Sequence, residues 1–267
     1  MPLQGKKYIY GIIEEPHAPR QIRGVDGRAS FSPSRNFGFF GIGEVEVYTI
    51  NYEKLAAIVS DTELDEIDPT RKNVLAHTTV QDKLLKEYDL LPMGFGMIAN
   101  SEDEVRSLLV KNYDSLIREL KGLAGKIEGE LKVFWDQEAM MRQLEVGNRE
   151  FDRIKERIRT ASSPVETQRL LMQAGKLVER VVLDWKAKYA QRAYNTLKQF
   201  SVDARLNNPI GVKNILNASF LIDKSRESEF QKEIYKLDAE YQGKVNFKYV
   251  GPLPPYSFIN LKLEPVK

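Results

Sequence analysis

The chain has 267 residues, of which 42% are hydrophobic, so it can form one large domain or two ordinary ones. Its 40 lysines and arginines nearly balance 38 aspartates and glutamates, which argues against a general binder of nucleic acids. The absence of cysteine excludes disulfides, thiolate nucleophiles and zinc–thiolate sites. No segment approaches the roughly 20 apolar residues of a membrane span, and the first apolar run is too short for a signal peptide. We therefore expect a soluble, cytoplasmic protein with no membrane partner.

The first half of the sequence predicts an α+β unit. Segments rich in β-branched and aromatic residues predict strands at 7–13, 36–52 and 56–59. Prolines and glycines in residues 14–35 predict a long loop. Helical spacing of apolar residues then predicts a helix over 74–88.

A strand or strand-like turn is expected at 90–99, followed by a second amphipathic helix. This helix starts with a capping box at Ser101 and Glu104 and continues to about residue 120. A glycine cluster at 122, 125 and 129 ends it and marks the expected domain boundary. The predicted domains are residues 1–129 and residues 130–267.

The second half predicts a different order of elements. Strands are expected at 130–136, 200–207, 216–223 and 244–251. One amphipathic helix is expected over 137–159, and a much longer one begins with Ser163 and Pro164 and runs to about residue 197. A further helix is expected at 230–241. The order βαββαβ with an extra helix is that of a ferredoxin-like domain with a helical insertion.

Few side chains offer chemistry. His17 lies in the proline-rich loop without a partner at a useful spacing, and His77 lies on an apolar helix face, where a satisfied structural histidine is expected more often than a general base. No nucleophile elbow, phosphate loop or HExxH motif occurs. The acidic run 61–68 lacks the glycine and the final glutamate of a calcium loop. We therefore predict no catalytic, cofactor-binding or metal-binding residue.

Residues 35–40, RNFGFF, partly match the aromatic strand of RNA-recognition domains. Such a domain needs a helix and a strand between its two aromatic strands, and the intervening residues 14–36, broken by prolines and glycines, cannot hold that helix. The balanced charge also argues against phosphate contacts. We therefore expect no nucleic-acid partner, although a ligand-sensing or RNA-binding ferredoxin-like protein stays open as an alternative function.

The segment 250–261, VGPLPPYSFINL, is rigid and apolar. Its prolines restrict the backbone and lower the entropy of the unfolded chain. Tyr256, Phe258 and Ile259 are expected to pack as a final strand or strap that closes the C-terminal domain. A contact between part of this strap and a partner is the second interpretation.

Several segments together resemble a known family, in the family's order along nearly the whole chain. They are residues 7–13 (KYIYGII), 77–98 (HTTVQDKLLKEYDLLPMGFGMI), 130–136 (ELKVFWD), 217–230 (NASFLIDKSRESEF) and 251–258 (GPLPPYSF). The chain resembles the gas vesicle protein F/L family, accessory proteins of the protein-walled flotation organelles of prokaryotes. Gly94 and Leu253 depart from the family pattern, in which a larger, often basic residue and a tryptophan are common at these positions.

The resemblance implies a non-enzymatic accessory or minor structural protein of the cytoplasmic gas vesicle, without cofactors. Its implied partners are the very hydrophobic main shell protein and other gas vesicle accessory proteins, and its implied role is to assist vesicle nucleation and assembly. It also implies two α+β domains, the C-terminal one being a modified ferredoxin-like fold with inserted long helices. The candidate structural or partner-contact residues come from the two most specific motifs: His77, Pro92, Phe95, Gly96, Gly251, Pro252, Pro254, Pro255, Tyr256 and Phe258.

A mechanism follows from this resemblance. The gas-facing surface of a vesicle wall must be apolar, and burying apolar area contributes about 25 cal/mol per Å² whichever partner covers it. A soluble accessory protein would therefore protect the shell subunit by covering its apolar helix or its exposed β-edge.

Overall fold

The computed structural model describes residues 5–15, 22–23, 29–30, 35–241 and 243–264. The chain divides into two compact units, Met1–Glu128 with Pro252–Lys267, and Gly129–Gly251. The chain thus leaves the first unit at Glu128 and returns to it at Pro252. This differs from the expectation that the closing segment completes the second domain, because its anchoring side chains find their partners in the first unit. His17 and most of the predicted loop 14–35 lie outside the described residues.

In its described residues, the first unit combines an antiparallel sheet with three helices. Its strands are β1 Lys6–Glu14, β2 Ile22–Arg23, β3 Ala29–Ser30, β4 Asn36–Phe39, β5 Glu46–Tyr52, β6 Leu55–Thr62, β7 Leu90–Pro92 and β8 Ile98–Ala99, and its helices are α1 Arg71–Leu85, α2 Glu102–Lys111 and α3 Tyr113–Leu123. The main sheet has the order β4-β5-β6-β1-β7, with β8 also paired to β1. Strand β1 is buried over almost its whole length, as expected for a central strand with both faces covered.

Two predicted elements of the first unit are each divided in the structure. The strand predicted at 36–52 is interrupted by a turn in which Gly43 and Glu44 adopt positive φ. The helix predicted from Ser101 breaks at Asn112, whose backbone leaves the helical region. The N-cap half of the predicted capping box is confirmed, since the Glu104 amide donates to the Ser101 hydroxyl at 3.1 Å. The Glu104 carboxylate accepts the Asn100 amide hydrogen at 2.6 Å instead of closing the box at the Ser101 amide.

The second unit combines helices with a four-stranded sheet. Its elements in chain order are β9 Lys126–Trp135, α4 Gln137–Gly147, α5 Arg149–Arg159, α6 Pro164–Lys198, β10 Asp203–Asn207, β11 Asn214–Asp223, α7 Glu227–Tyr241 and β12 Val245–Leu253. The sheet order is β10-β11-β9-β12. The first residues of β9 and the last of β12 belong to the first unit.

The long helix α6 confirms the prediction from its start signal, with Ser163 as N-cap and Pro164 in the first turn. The prediction of a single helix over 137–159 is wrong, because Asn148 takes an extended conformation and its side chain caps the start of α5. Leu144, Phe151 and Leu177 join α4, α5 and α6 in one buried cluster. The apolar seam was therefore read correctly although the helix is broken.

Candidate functional site

The histidine-led helix and the closing motif meet inside the first unit. His77 lies on α1 and is only 2% exposed. Its Nε2 atom lies 3.1 Å from the Met93 carbonyl oxygen and 3.1 Å from the Tyr256 hydroxyl. Its Nδ1 atom lies 2.9 Å from the Tyr8 hydroxyl on β1. One imidazole therefore connects the helix, the central strand, the turn after β7 and the C-terminal segment.

The partners of His77 assign its tautomer. A carbonyl oxygen only accepts, so the hydrogen is on Nε2 and Nδ1 accepts the Tyr8 hydroxyl hydrogen. The Tyr8 oxygen in turn accepts the Gly96 amide hydrogen at 3.0 Å. Burial lowers the pKa of His77 to about 4 even though the Met93 carbonyl favours the charged form. The imidazole is thus neutral near pH 7.

Gln81 lies one helical turn after His77 and completes the network. Its amide nitrogen donates to the Tyr10 carbonyl at 2.7 Å and to the Met93 carbonyl at 3.0 Å. Its amide oxygen accepts the Tyr256 hydroxyl hydrogen at 2.6 Å. Every polar atom of the buried Gln81 side chain is therefore used.

The residues of the turn after β7 have structural positions in the same cluster. Pro92 ends β7 and pairs with Gly11 of β1. The Phe95 ring meets the rings of His77 and Tyr8 edge-on, with centroids 5.7 and 6.1 Å apart. Gly96 donates its amide hydrogen to Tyr8, and its φ of +90° favours glycine at this position.

The closing segment is fastened to the first unit at two further points. The buried Glu128 carboxylate accepts the Ser257 amide hydrogen at 2.8 Å and the Ser257 hydroxyl hydrogen at 2.5 Å. The Asn112 side-chain oxygen accepts the Glu264 amide hydrogen at 2.9 Å. The break between α2 and α3 thus lies where the chain returns, and Asn112 is used by the returning segment.

Most of the remaining candidates in the closing motif are buried. Pro254, Pro255 and Phe258 are buried, whereas Pro252 is exposed. Gly251 belongs to the second unit, where an added Cβ atom would clash with the Tyr249 side chain. Packing accounts for the buried positions of the motif, whereas Pro252 and Tyr256 keep exposed surface. The network around His77 holds neutral groups whose hydrogen bonds are filled. A structural role is what this arrangement can perform.

Sequence reasoning identified His77 and Tyr256 but not their partners. Tyr8 and Gln81 were missed because they lie on elements remote from Tyr256 in sequence. Gln81 carried a signal, since a polar residue four positions after His77 shares its buried helix face. Glu128 was missed because it lies in the glycine-rich segment that was predicted as the domain boundary, where a carboxylate normally faces solvent.

Exposed apolar residues lie near the end of β10 and on the turn between β10 and β11. Leu206, Ile210 and Val212 all have exposed side chains, and Val212 is 89% exposed. β10 is an end strand of its sheet. We call this element, residues 203–223, the β10–β11 hairpin, and its tip combines a sheet edge with aliphatic side chains that are available to a partner.

Among the described residues, no group of histidine and acidic side chains could hold a metal ion. None of the helices in that part of the chain has the length and apolarity needed to cross a membrane.

Known proteins with similar sequences span most of this chain. A gas vesicle protein F from Nostoc sp. strain PCC 7120 is 23% identical, with 95% of this chain and 98% of the relative covered. A gas vesicle protein F from Streptomyces sp. strain CB03234 is 29% identical, with 94% and 98% covered.

Two crystal structures share the fold. That of gas vesicle protein GvpF from Anabaena sp. PCC7120 aligns with a TM-score of 0.75 at 22% identity, covering 97% of this chain and 99% of the other. That of GvpF from Microcystis aeruginosa aligns with a TM-score of 0.70 at 22% identity, covering 96% and 99%. The family model described as gas vesicle synthesis protein GvpL/GvpF matches residues 6–260. The chain therefore belongs to the GvpL/GvpF family of gas vesicle synthesis proteins.

Proposed function

We propose that this protein is a non-enzymatic accessory component of the cytoplasmic gas vesicle that binds the hydrophobic main shell protein and assists nucleation and assembly of the wall. The observation that carries this proposal is the exposed aliphatic tip of the β10–β11 hairpin, with Leu206, Ile210 and Val212. An assembling wall offers apolar surface, and the hairpin offers the matching kind of contact. Family membership supports association with gas vesicles and does not favour a ligand-sensing or RNA-binding alternative.

The binding free energy available from the hairpin tip is adequate for a reversible contact. Full burial of an aliphatic side chain contributes about 1.5–3 kcal/mol, so three side chains contribute roughly 5 kcal/mol before the cost of association. Hydrogen bonds from the edge strand would add orientation. Such a contact suits a protein that must release the shell subunit into the wall.

The buried network around His77 supports the function indirectly. It fastens the closing segment to the first unit, and we therefore propose that Tyr256 and its neighbours act mainly in fold closure. We also propose two α+β domains, the second of them ferredoxin-like. This is supported by its sheet order β10-β11-β9-β12 and by helices that follow β9 and β11.

A pull-down with the main shell protein, under conditions where that protein is soluble, tests the proposal. Val212→Asp places a charge at the hairpin tip, and Leu64→Asp makes a comparable change in an exposed loop of the first unit, where Leu64 is 58% exposed. We expect the wild type and Leu64→Asp to retain the shell protein and Val212→Asp to lose most of it. The proposal would be contradicted if neither the wild type nor Leu64→Asp retained the shell protein, or if Leu64→Asp and Val212→Asp retained it equally.

A further inference from the structure

A groove between helices α5 and α6 of the second unit has a basic rim and an apolar floor. It has a volume of about 610 Å³ and is lined on one side by Arg153 and Arg157 and on the other by Lys176 and Arg180. Ile154 and Leu177 form the floor, and Leu177 belongs to the buried cluster that joins the helices. The groove therefore combines positive charge with a site for aliphatic side chains.

Most of this positive charge is not neutralised within the protein. Arg180 is paired with Glu150 at 2.9 Å. Within the described part of the chain, Arg153, Arg157 and Lys176 make no ion pair, and all three are exposed. Three free cations around one short groove are a concentrated charge in a chain whose formal net charge is only +2.

From this geometry we infer that the groove binds an acidic amphipathic helix of a partner protein. Arg153 and Arg157 lie one turn apart on α5, so they match carboxylates spaced three or four residues apart on a bound helix. Aliphatic side chains on the same face of that helix would reach Ile154 and Leu177. Helix α5 has 11 residues, which limits the contact to about three turns.

A single-stranded nucleic acid fits the groove less well. Nucleic-acid grooves combine a longer track of cations with aromatic side chains on which bases stack. The floor here is aliphatic, and none of the described residues that line the groove is aromatic. The groove is separate from the β10–β11 hairpin, so this inference stands or falls independently of shell-protein binding.

A designed peptide tests the inference with the full chain. The probe is a fluorescein-labelled, stapled helix of about three turns, with leucines on one face and glutamates flanking them. The matched control peptide has glutamine at every glutamate position. Fluorescence anisotropy should give micromolar binding for the acidic peptide and at least about tenfold weaker binding for the glutamine peptide.

Two charge reversals locate the site. Lys176→Glu lies in the groove, whereas Lys232→Glu makes the same charge change on an exposed position of α7. We expect Lys176→Glu to weaken binding about tenfold and Lys232→Glu less than about twofold. Equal effects of the two variants, or no saturable binding of the acidic peptide, would overturn the inference. Tighter binding of an oligouridylate, or of phosphatidylglycerol vesicles, than of the peptide would also overturn it.

Discussion

Removing a single oxygen atom tests the closure of the first unit. In Tyr256→Phe the ring is kept, but Gln81 loses the hydroxyl that donates to its side-chain oxygen at 2.6 Å. Because Gln81 is fully buried, that oxygen is left without a donor, which costs about 1–3 kcal/mol. We therefore expect a loss of about 2 kcal/mol in the unfolding free energy of the first unit, or a fall in Tm of roughly 6 °C.

Hydrogen exchange reports this loss locally. The Met93 amide donates to the Tyr10 carbonyl at 3.0 Å, beside the network. A loss of about 2 kcal/mol corresponds to roughly 30-fold faster exchange at this amide if it opens with the unit. Both tryptophans, Trp135 and Trp185, lie in the second unit, so their fluorescence follows that unit separately.

Tyr235→Phe is the matched control, since Tyr235 lies on α7 with 70% of its surface exposed. We expect this variant to change the unfolding free energy by less than about 0.5 kcal/mol. If Tyr256→Phe and Tyr235→Phe have the same Tm and the same Met93 exchange rate, the hydroxyl does not hold the segment and the reasoning is refuted.

Three further predictions concern the same cluster. The unfolded imidazole of His77 binds a proton near its ordinary pKa of 6.5 and the folded one only at about 4, so stability falls as the pH decreases between these values. Between these pH values the unfolding free energy of the wild type, measured with urea, should therefore fall by up to about 3 kcal/mol more than that of His77→Gln. Parallel plots of unfolding free energy against pH for the two proteins would contradict this. Gly96→Ala should lower the unfolding free energy by about 1–2 kcal/mol, because the φ of Gly96 is +90°. Gly94→Ala, where a Cβ atom meets open space, should lower it far less. Calorimetry compares the two variants, and equal Tm values would contradict this prediction. Ser257→Ala leaves the buried Glu128 with one donor fewer and should cost about 1–3 kcal/mol by urea unfolding, and an unchanged midpoint would count against this fastening point.

The elements that the sequence predicted well are those with a strong local signal. The apolar and aromatic run of β1 and the Ser-Pro start of α6 are sufficient by themselves. The breaks at Asn112 and Asn148 were not predicted. In each case the helix is interrupted at one asparagine, whose side chain forms hydrogen bonds with backbone groups. Asn148 caps the next helix, and Asn112 bonds to Glu264, which is 152 positions away in sequence.

The closing segment illustrates the limit for the candidate site. Its stiffness and apolar content correctly predicted burial of Phe258, but not the unit on which it packs. That choice depends on Gln81 and Glu128, which are remote in sequence and have no unusual local pattern. Periodicity identifies a buried face, whereas long-range hydrogen-bond partners emerge only from the fold.

Formation of gas vesicles in cells that lack the native gene tests the central claim most directly, namely that this protein acts through an exposed apolar contact. Each variant is expressed to the same level, and particles are counted by electron microscopy. We expect Leu64→Asp to restore normal particle numbers and Val212→Asp, at the tip of the β10–β11 hairpin, to give few or none. Normal particle numbers with Val212→Asp, from a chain that is folded and present at the control level, would contradict the account.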